Sequence, residues 1–231
     1  MNLQSAAVLL SGIAWTITYI ALVYRGLKDK SYGMPLAALA LNFTWEITFS
    51  IIYPPLTNGI MVTIINTIWM LCDIGIVSTF FIYGYKYFKE EYNISKSVFY
   101  FGSIIGFTLS LLIMLVGGPF FAEFSYFNND YFEVAKFIAF IQNAVMSILF
   151  VVFFYARKKN GHPIEGQSFT IAWSKMVGTS FTVGIFYLLD HPNNWQFVGI
   201  FVATLFIFDL WYAILIYKEL KAHNINPFTR I

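Results

Sequence analysis

The chain has 231 residues, 58% of them hydrophobic, 20% aromatic and 11% charged. Soluble domains carry about 25% charged residues, so that class is excluded. The net charge of +2 is too small to point to nucleic acid, and a single cysteine, Cys72, excludes a disulfide framework or a cysteine metal centre.

Most of the length divides into apolar runs of about 20 residues, the thickness of a hydrocarbon core. The period-two alternation of an outer-membrane barrel is missing. In chain order the predicted spans are Ser5–Tyr24, Met34–Tyr53, Ile60–Tyr83, Val98–Val116, Val134–Tyr155, Phe169–Leu189 and Trp195–Tyr217. The third is interrupted by Asn66 and Asp73. The fold class expected is all-α, a polytopic membrane protein in which residues 1–231 form a single domain of seven transmembrane helices. No basic stretch precedes the first span, so no cleavable signal peptide is expected.

Basic residues orient such a bundle. Arg25, Lys28 and Lys30 lie in the first connection; Lys86, Lys89 and Lys96 in or beside the third; Arg157, Lys158 and Lys159 in the fifth; Lys218, Lys221 and Arg230 in the tail. The second, fourth and sixth connections carry none, while Glu123, Asp130 and Asp190 sit in the last two of these. The alternation predicts an N-terminus outside and a C-terminus in the cytoplasm, in a bacterial inner membrane or an endoplasmic reticulum depending on the host. Lys136 and Lys175 stand outside the pattern. Lys175, near the cytoplasmic end of the sixth span, is expected to snorkel to the headgroups.

Four ionisable residues fall well inside spans: Glu46, Asp73, Lys175 and Asp209. A carboxylate at mid-membrane costs about 2.5–3.5 kcal/mol on insertion scales, so it is paired, faces a wet cavity or does chemistry. At 3.6 residues per turn Asn42, Glu46, Phe49 and Tyr53 share one stripe, with Trp45 beside it. On the seventh span Tyr212 shares a face with Asp209. Counting about 1.5 Å per residue puts both acids in the outer part of the bilayer at slightly different depths, where they could face one cavity. Asp73 either lines that cavity or pairs with Asn66, Gln142 or Asn143. His162, His191 and His223 are too scattered for a metal site, and no phosphate loop, nucleophile elbow or aspartate-rich diphosphate motif is present. No cofactor is therefore expected.

A carboxylic acid in an apolar, aromatic cavity favours its neutral form and can serve as a proton donor. Ring faces stabilise developing positive charge, and excluding water protects a reactive cation. These conditions suit acid-initiated cyclisation of a prenyl chain entering from the bilayer. Proton-coupled transport by a seven-helix carrier is the alternative; it predicts similarity between the first and last three helices, and no repeat is evident.

The first two spans resemble the integral-membrane terpene cyclases of fungal meroterpenoid and indole-diterpene pathways, which have bacterial relatives. The residues that carry the resemblance are Trp15, Tyr19, Tyr24, Tyr32-Gly33-Met34, Asn42, Trp45-Glu46 and Tyr53-Pro54, joined by Asp209 and Tyr212 on the last span. Ser174-Lys175 with Gly178 is a looser echo, and spans three to five carry no motif of the family. The resemblance implies a metal-independent enzyme that protonates an epoxide or alkene of a lipophilic prenylated substrate. It implies Glu46 and Asp209 as the catalytic acids, with Glu46 donating the proton. Trp15, Tyr19, Asn42, Trp45, Phe49, Tyr53, Asp73 and Tyr212 are the expected substrate-binding residues. The partners expected are that substrate and the lipid bilayer, without nucleic acid.

Overall fold

Backbone that leaves water must satisfy its hydrogen bonds internally, and a helix does so within one segment. The computed structural model follows this rule; it describes residues 3–54, 60–185 and 195–231, the side chains of 3–5, 60, 61 and 195 excepted. Among the described residues seven α-helices follow one another: α1 (Leu3–Lys28), α2 (Leu36–Ile47), α3 (Ile60–Tyr92), α4 (Lys96–Ala122), α5 (Tyr131–Lys159), α6 (Phe169–Met176) and α7 (Trp195–Ala222). α2 and α6 each run on into a π-helical stretch, Thr48–Ile52 and Val177–Gly184. Polar caps set three of the starts. Ser95, Asp130 and Ser168 accept the backbone N–H of Val98, Phe132 and Ile171, and each such cap is worth about 1 kcal/mol.

All seven predicted spans coincide with helices, but not at the same lengths. α1, α3, α4, α5 and α7 are long and apolar enough to cross a membrane, whereas Leu36–Ile52 is shorter. α3 is unbroken at Asn66 and Asp73 and continues past Tyr83 to Tyr92. Asp73 fits inside the helix because its carboxyl is bonded to a neighbouring helix rather than to its own backbone. The predicted end of the sixth span, Phe186–Leu189, lies outside the described residues, as do Asp190 and His191.

The helices close into a ring. α1 packs on α3, α3 on α2, α2 on α5, α5 on α7, α7 on α6, and α6 with its π stretch back on α1. α4 lies against α2 at the periphery. Leu9, Ile13, Ile20, Phe101, Ile113, Ile200 and Ile207 are exposed on the outside, while Glu46, Asp73, Lys175 and Asp209 are buried inside. That inverted distribution is what a hydrocarbon surround selects.

The basic connections meet at one end of the ring. Asp29 pairs with Arg25 at 3.2 Å and with Arg230 of the tail at 2.8 Å. Arg157 lies over the rings of Tyr87 and Tyr32 at 3.4 and 4.4 Å and donates to the carbonyl of Tyr32. Gln167 donates to the carbonyl of Gly33 at 2.8 Å. Gly166 has φ +72°, and a Cβ on Gly33 would stand 2.5 Å from its carbonyl oxygen. Two glycines are needed where these strands of chain touch.

Candidate active site

Glu46 is 1% exposed on α2, one turn beyond Asn42. The two side chains share a partner on α1. Asn42 Nδ2 donates to the Tyr19 hydroxyl at 2.7 Å, and that hydroxyl donates to Glu46 Oε1 at 2.8 Å. Asn42 Nδ2 also donates to Asp73 Oδ2 on α3 at 2.8 Å. Three helices are thus tied by one hydrogen-bonded chain, Asp73–Asn42–Tyr19–Glu46. Among the described residues, Glu46 Oε2 has no hydrogen-bond partner. A buried carboxyl with one oxygen held and the other unengaged is an acid available to something else in the site.

That something has room. Glu46, Asn42 and Trp45 of α2 border a cavity of about 210 Å³ inside the ring. α1 contributes Trp15, Tyr19 and Gly12; α3 contributes Ile65, Asn66 and Trp69; α5 contributes Phe140, Gln142 and Asn143. Thr179 and Val183 enter from the π stretch after α6. The aromatic wall is continuous: Tyr19 lies 5.7 Å from Trp15 and 5.9 Å from Trp69, centroid to centroid. Each indole N–H is held, Trp15 by Thr179 at 2.9 Å, Trp69 by Thr16 and Trp45 by the Ala135 carbonyl, both at 3.1 Å. With their N–H groups committed, these rings offer the cavity apolar aromatic surface rather than free donors. Gly12, Ile65 and Trp69 also border a second, apolar hollow, whose other walls include the exposed Leu9, Ile13 and Ile17.

Of the ten residues singled out in the sequence, five border the cavity: Glu46, Asn42, Trp45, Trp15 and Tyr19. Asp73 stands one bond behind, on Asn42, and not on Asn66, Gln142 or Asn143. Phe49 is fully buried beside Trp45, and Tyr53 stacks on Tyr131 at 5.0 Å. Asp209 and Tyr212 do not border it. Asp209 is bonded to Lys175 Nζ at 2.5 Å, with Ser180 at 3.4 Å on its other oxygen, and Tyr212 donates to Gln167. The shared cavity expected for the two acids is therefore not the observed geometry. Lys175 corrects a second expectation: it is 1% exposed and bonded to Ser147 and Asp209 rather than snorkelling. An aspartate across the helix interface offers a cation more than distant headgroups do.

Trp69, Gln142, Asn143, Asn66 and Thr179 border the cavity without having been expected to. Asn66, Gln142 and Asn143 are legible as polar residues in apolar helices, where the sequence offers them as alternative partners of Asp73 and not as cavity residues. Gln142 Oε1 and Asn143 Oδ1 are buried without a hydrogen-bond partner among the described residues. Thr179 carried no signal, because only the π stretch and the closeness of Gly178 to Trp15 bring it there.

Comparison with known proteins bears on what the chain does. Residues 1–221 match the family model of Pyr4-like transmembrane terpene cyclases. The chain is 26% identical over 210 residues to the Pyr4-family terpene cyclase mfmH of Annulohypoxylon moriforme, covering 90% of this chain and 80% of mfmH. It is 25% identical over 185 residues to the terpene cyclase macJ of Penicillium terrestre, covering 79% and 66% of the two chains. A shorter match, 36% identical over 73 residues, covers 32% of this chain and 30% of the terpene cyclase pyr4 of Aspergillus fumigatus. No solved structure matches. With the acid in its aromatic cavity and a match along nearly the whole chain, the protein belongs to the Pyr4-like transmembrane terpene cyclases, integral membrane enzymes that cyclise terpenoids.

Proposed function

We propose that the protein cyclises a linear prenyl chain by protonating it from Glu46. The observation that carries this reading is the unengaged Oε2 of a buried carboxyl whose other oxygen is held by Tyr19, beside an aromatic cavity. Proton transfer from Oε2 to a terminal epoxide oxygen opens a C–O bond and leaves a tertiary carbocation. Transfer to an alkene carbon instead forms a C–H bond at the expense of the π bond and leaves a tertiary carbocation that carries no hydroxyl. Successive double bonds then attack the cation, and loss of a proton to a base ends the sequence, so the product is an isomer of the substrate. The faces of Trp15, Tyr19, Trp45 and Trp69 stabilise the migrating charge. Initiation by protonation asks for neither a metal nor a diphosphate leaving group.

Asp209 acts in this reading from outside the cavity. Its pairing with Lys175 anchors α6 to α7 just before the π stretch that supplies Thr179. Phe49, Tyr53, Asp73 and Tyr212 likewise support the cavity rather than touch the chain. Residues 1–231 form one domain that crosses the membrane seven times, with its basic end in the cytoplasm. The substrate reaches the cavity from the bilayer past Trp69, through the apolar hollow that shares its wall.

The test is a product assay. Membranes holding the wild type or Glu46→Gln are incubated with linear and epoxidised prenyl compounds, free and joined to aromatic groups. A cyclic isomer made by the wild type, with turnover reduced at least about 10²-fold in the variant, is the expected result. A folded Glu46→Gln protein that still cyclises would remove Glu46 as the donor.

A further inference from the structure

We propose that Asp73 is a positioning residue for Glu46: through Asn42 and Tyr19 it decides which oxygen of the acid carries the proton. The inference rests on Glu46 as the proton donor and adds the device that aims it.

The argument is a count of hydrogens. Asn42 has two on Nδ2, and both are committed, one to Asp73 Oδ2 and one to the Tyr19 oxygen. Tyr19 therefore accepts from Asn42, and its own single hydrogen is left for Glu46 Oε1. An oxygen that already accepts this bond is the carbonyl oxygen of a neutral carboxyl, so the acid's hydrogen resides on Oε2. That oxygen is the one with no protein partner among the described residues. Asp73 does not border the cavity and touches no substrate; its carboxyl fixes the amide, the amide fixes the phenol, and the phenol fixes the acid. Without the acceptor at position 73 the Asn42 amide can turn over and present its oxygen to Tyr19. The phenol hydrogen then goes to Asn42, and Glu46 loses the bond that distinguishes its two oxygens. All four side chains are buried, and a hydrogen bond in such surroundings is stronger than in water.

The first readout needs no substrate. The carbonyl stretch of a neutral Glu46 is identified by infrared spectroscopy of the purified protein as the band lost in Glu46→Gln. A carbonyl that accepts a hydrogen bond absorbs at lower frequency than one that does not. Asp73→Leu and Tyr19→Phe are expected to move the band upward by similar amounts, and the double variant no further than either. Asp73→Asn, which keeps an oxygen acceptor for Asn42, is expected to leave it in place. Should Asp73→Leu not fold, the isosteric Asn42→Asp tests the same link, because it offers Tyr19 an acceptor in place of a donor and should shift the band likewise. A purely structural Asp73 would leave the band unmoved in folded protein.

The second readout is turnover of whichever prenyl compound the wild type cyclises. Asp73→Leu is expected to lower kcat about tenfold or more, below the scale of removing the acid itself, with KM little changed. The loss should not add to that of Tyr19→Phe, since one residue acts through the other. An unmoved band in Asp73→Leu, additive losses in the double variant, or an Asp73→Asn enzyme as impaired as Asp73→Leu would each overturn the proposal. If the wild type shows no Glu46 band, the acid is ionised, and the proton-donor reading falls together with it.

Discussion

Asp209 and Lys175 meet at 2.5 Å between α6 and α7, each 1% exposed, so losing either leaves a bare charge in an apolar interior. Breaking such a pair costs about 3–5 kcal/mol, whereas replacing both members by apolar residues is often neutral. Asp209→Leu should therefore lower the melting temperature in detergent sharply, and Asp209→Leu combined with Lys175→Met should restore most of it, with turnover returning as well. A double variant as stable as wild type yet inactive would give Asp209 a part in the chemistry instead. Glu46 was legible in the sequence because an acid at that depth demands a reason. The partner of Asp209 was not, because helical periodicity gives a residue's angle around its own axis and not the angle of the neighbouring helix.

At the scale of the element, the π stretch that follows α6 supplies part of the cavity wall. After Gly178 the chain presents Thr179 and Val183 to the cavity, and Thr179 holds Trp15. π segments are rare and recur at functional sites. A Cβ on Gly178 would stand 2.8 Å from Trp15 Cδ1, so the indole must move. Gly178→Ala is expected to lower kcat/KM about 10–10²-fold, the cost of misplacing a cavity wall by an ångström. Gly106 of α4 offers the contrast, since a Cβ there meets nothing within 4 Å. Gly106→Ala should keep full activity and stabilise the helix by about 0.5–1 kcal/mol, measured as a higher melting temperature. The helices themselves were readable from their apolar runs. The change of pitch was not, because Val177–Gly184 carries nothing that distinguishes it from a plain α-helical sequence.

For the whole molecule, the end where the basic connections meet is a network rather than a charged fringe. Glu165 accepts from Tyr87 and lies 2.8 Å from His162, whose other ring nitrogen is 3.0 Å from Glu90. Burial alone would push the Glu165 carboxyl up, but the bonds from Tyr87 and His162 outweigh it and hold it below the ordinary carboxylate range. A carboxylate depressed in the folded state stabilises the fold above its unfolded value, about 4.3, and that contribution fades as pH falls through the lower folded value. Thermal stability should accordingly drop on acidification below about pH 4, and Glu165→Gln should show a shallower drop. A variant with an unchanged acid profile would rule Glu165 out as a contributor.

What the sequence by itself determined was the class and the family of enzyme it resembles. Apolar runs bounded by alternating basic connections specify a helical membrane chain, and Glu46 beside Asn42 and Trp45 stands out as a candidate acid, because both signals are local and depend on the energetics of leaving water. Family membership then decides for the cyclase over the carrier. Only the tertiary structure decided which groups meet. It joined Asp73 to Glu46 through Asn42 and Tyr19, sent Asp209 to Lys175, and set Gln142 and Asn143 against the cavity. Those choices depend on how seven helices are rotated against one another. That rotation depends on contacts between residues far apart in the chain, such as Gly178 against Trp15, which no single helix records.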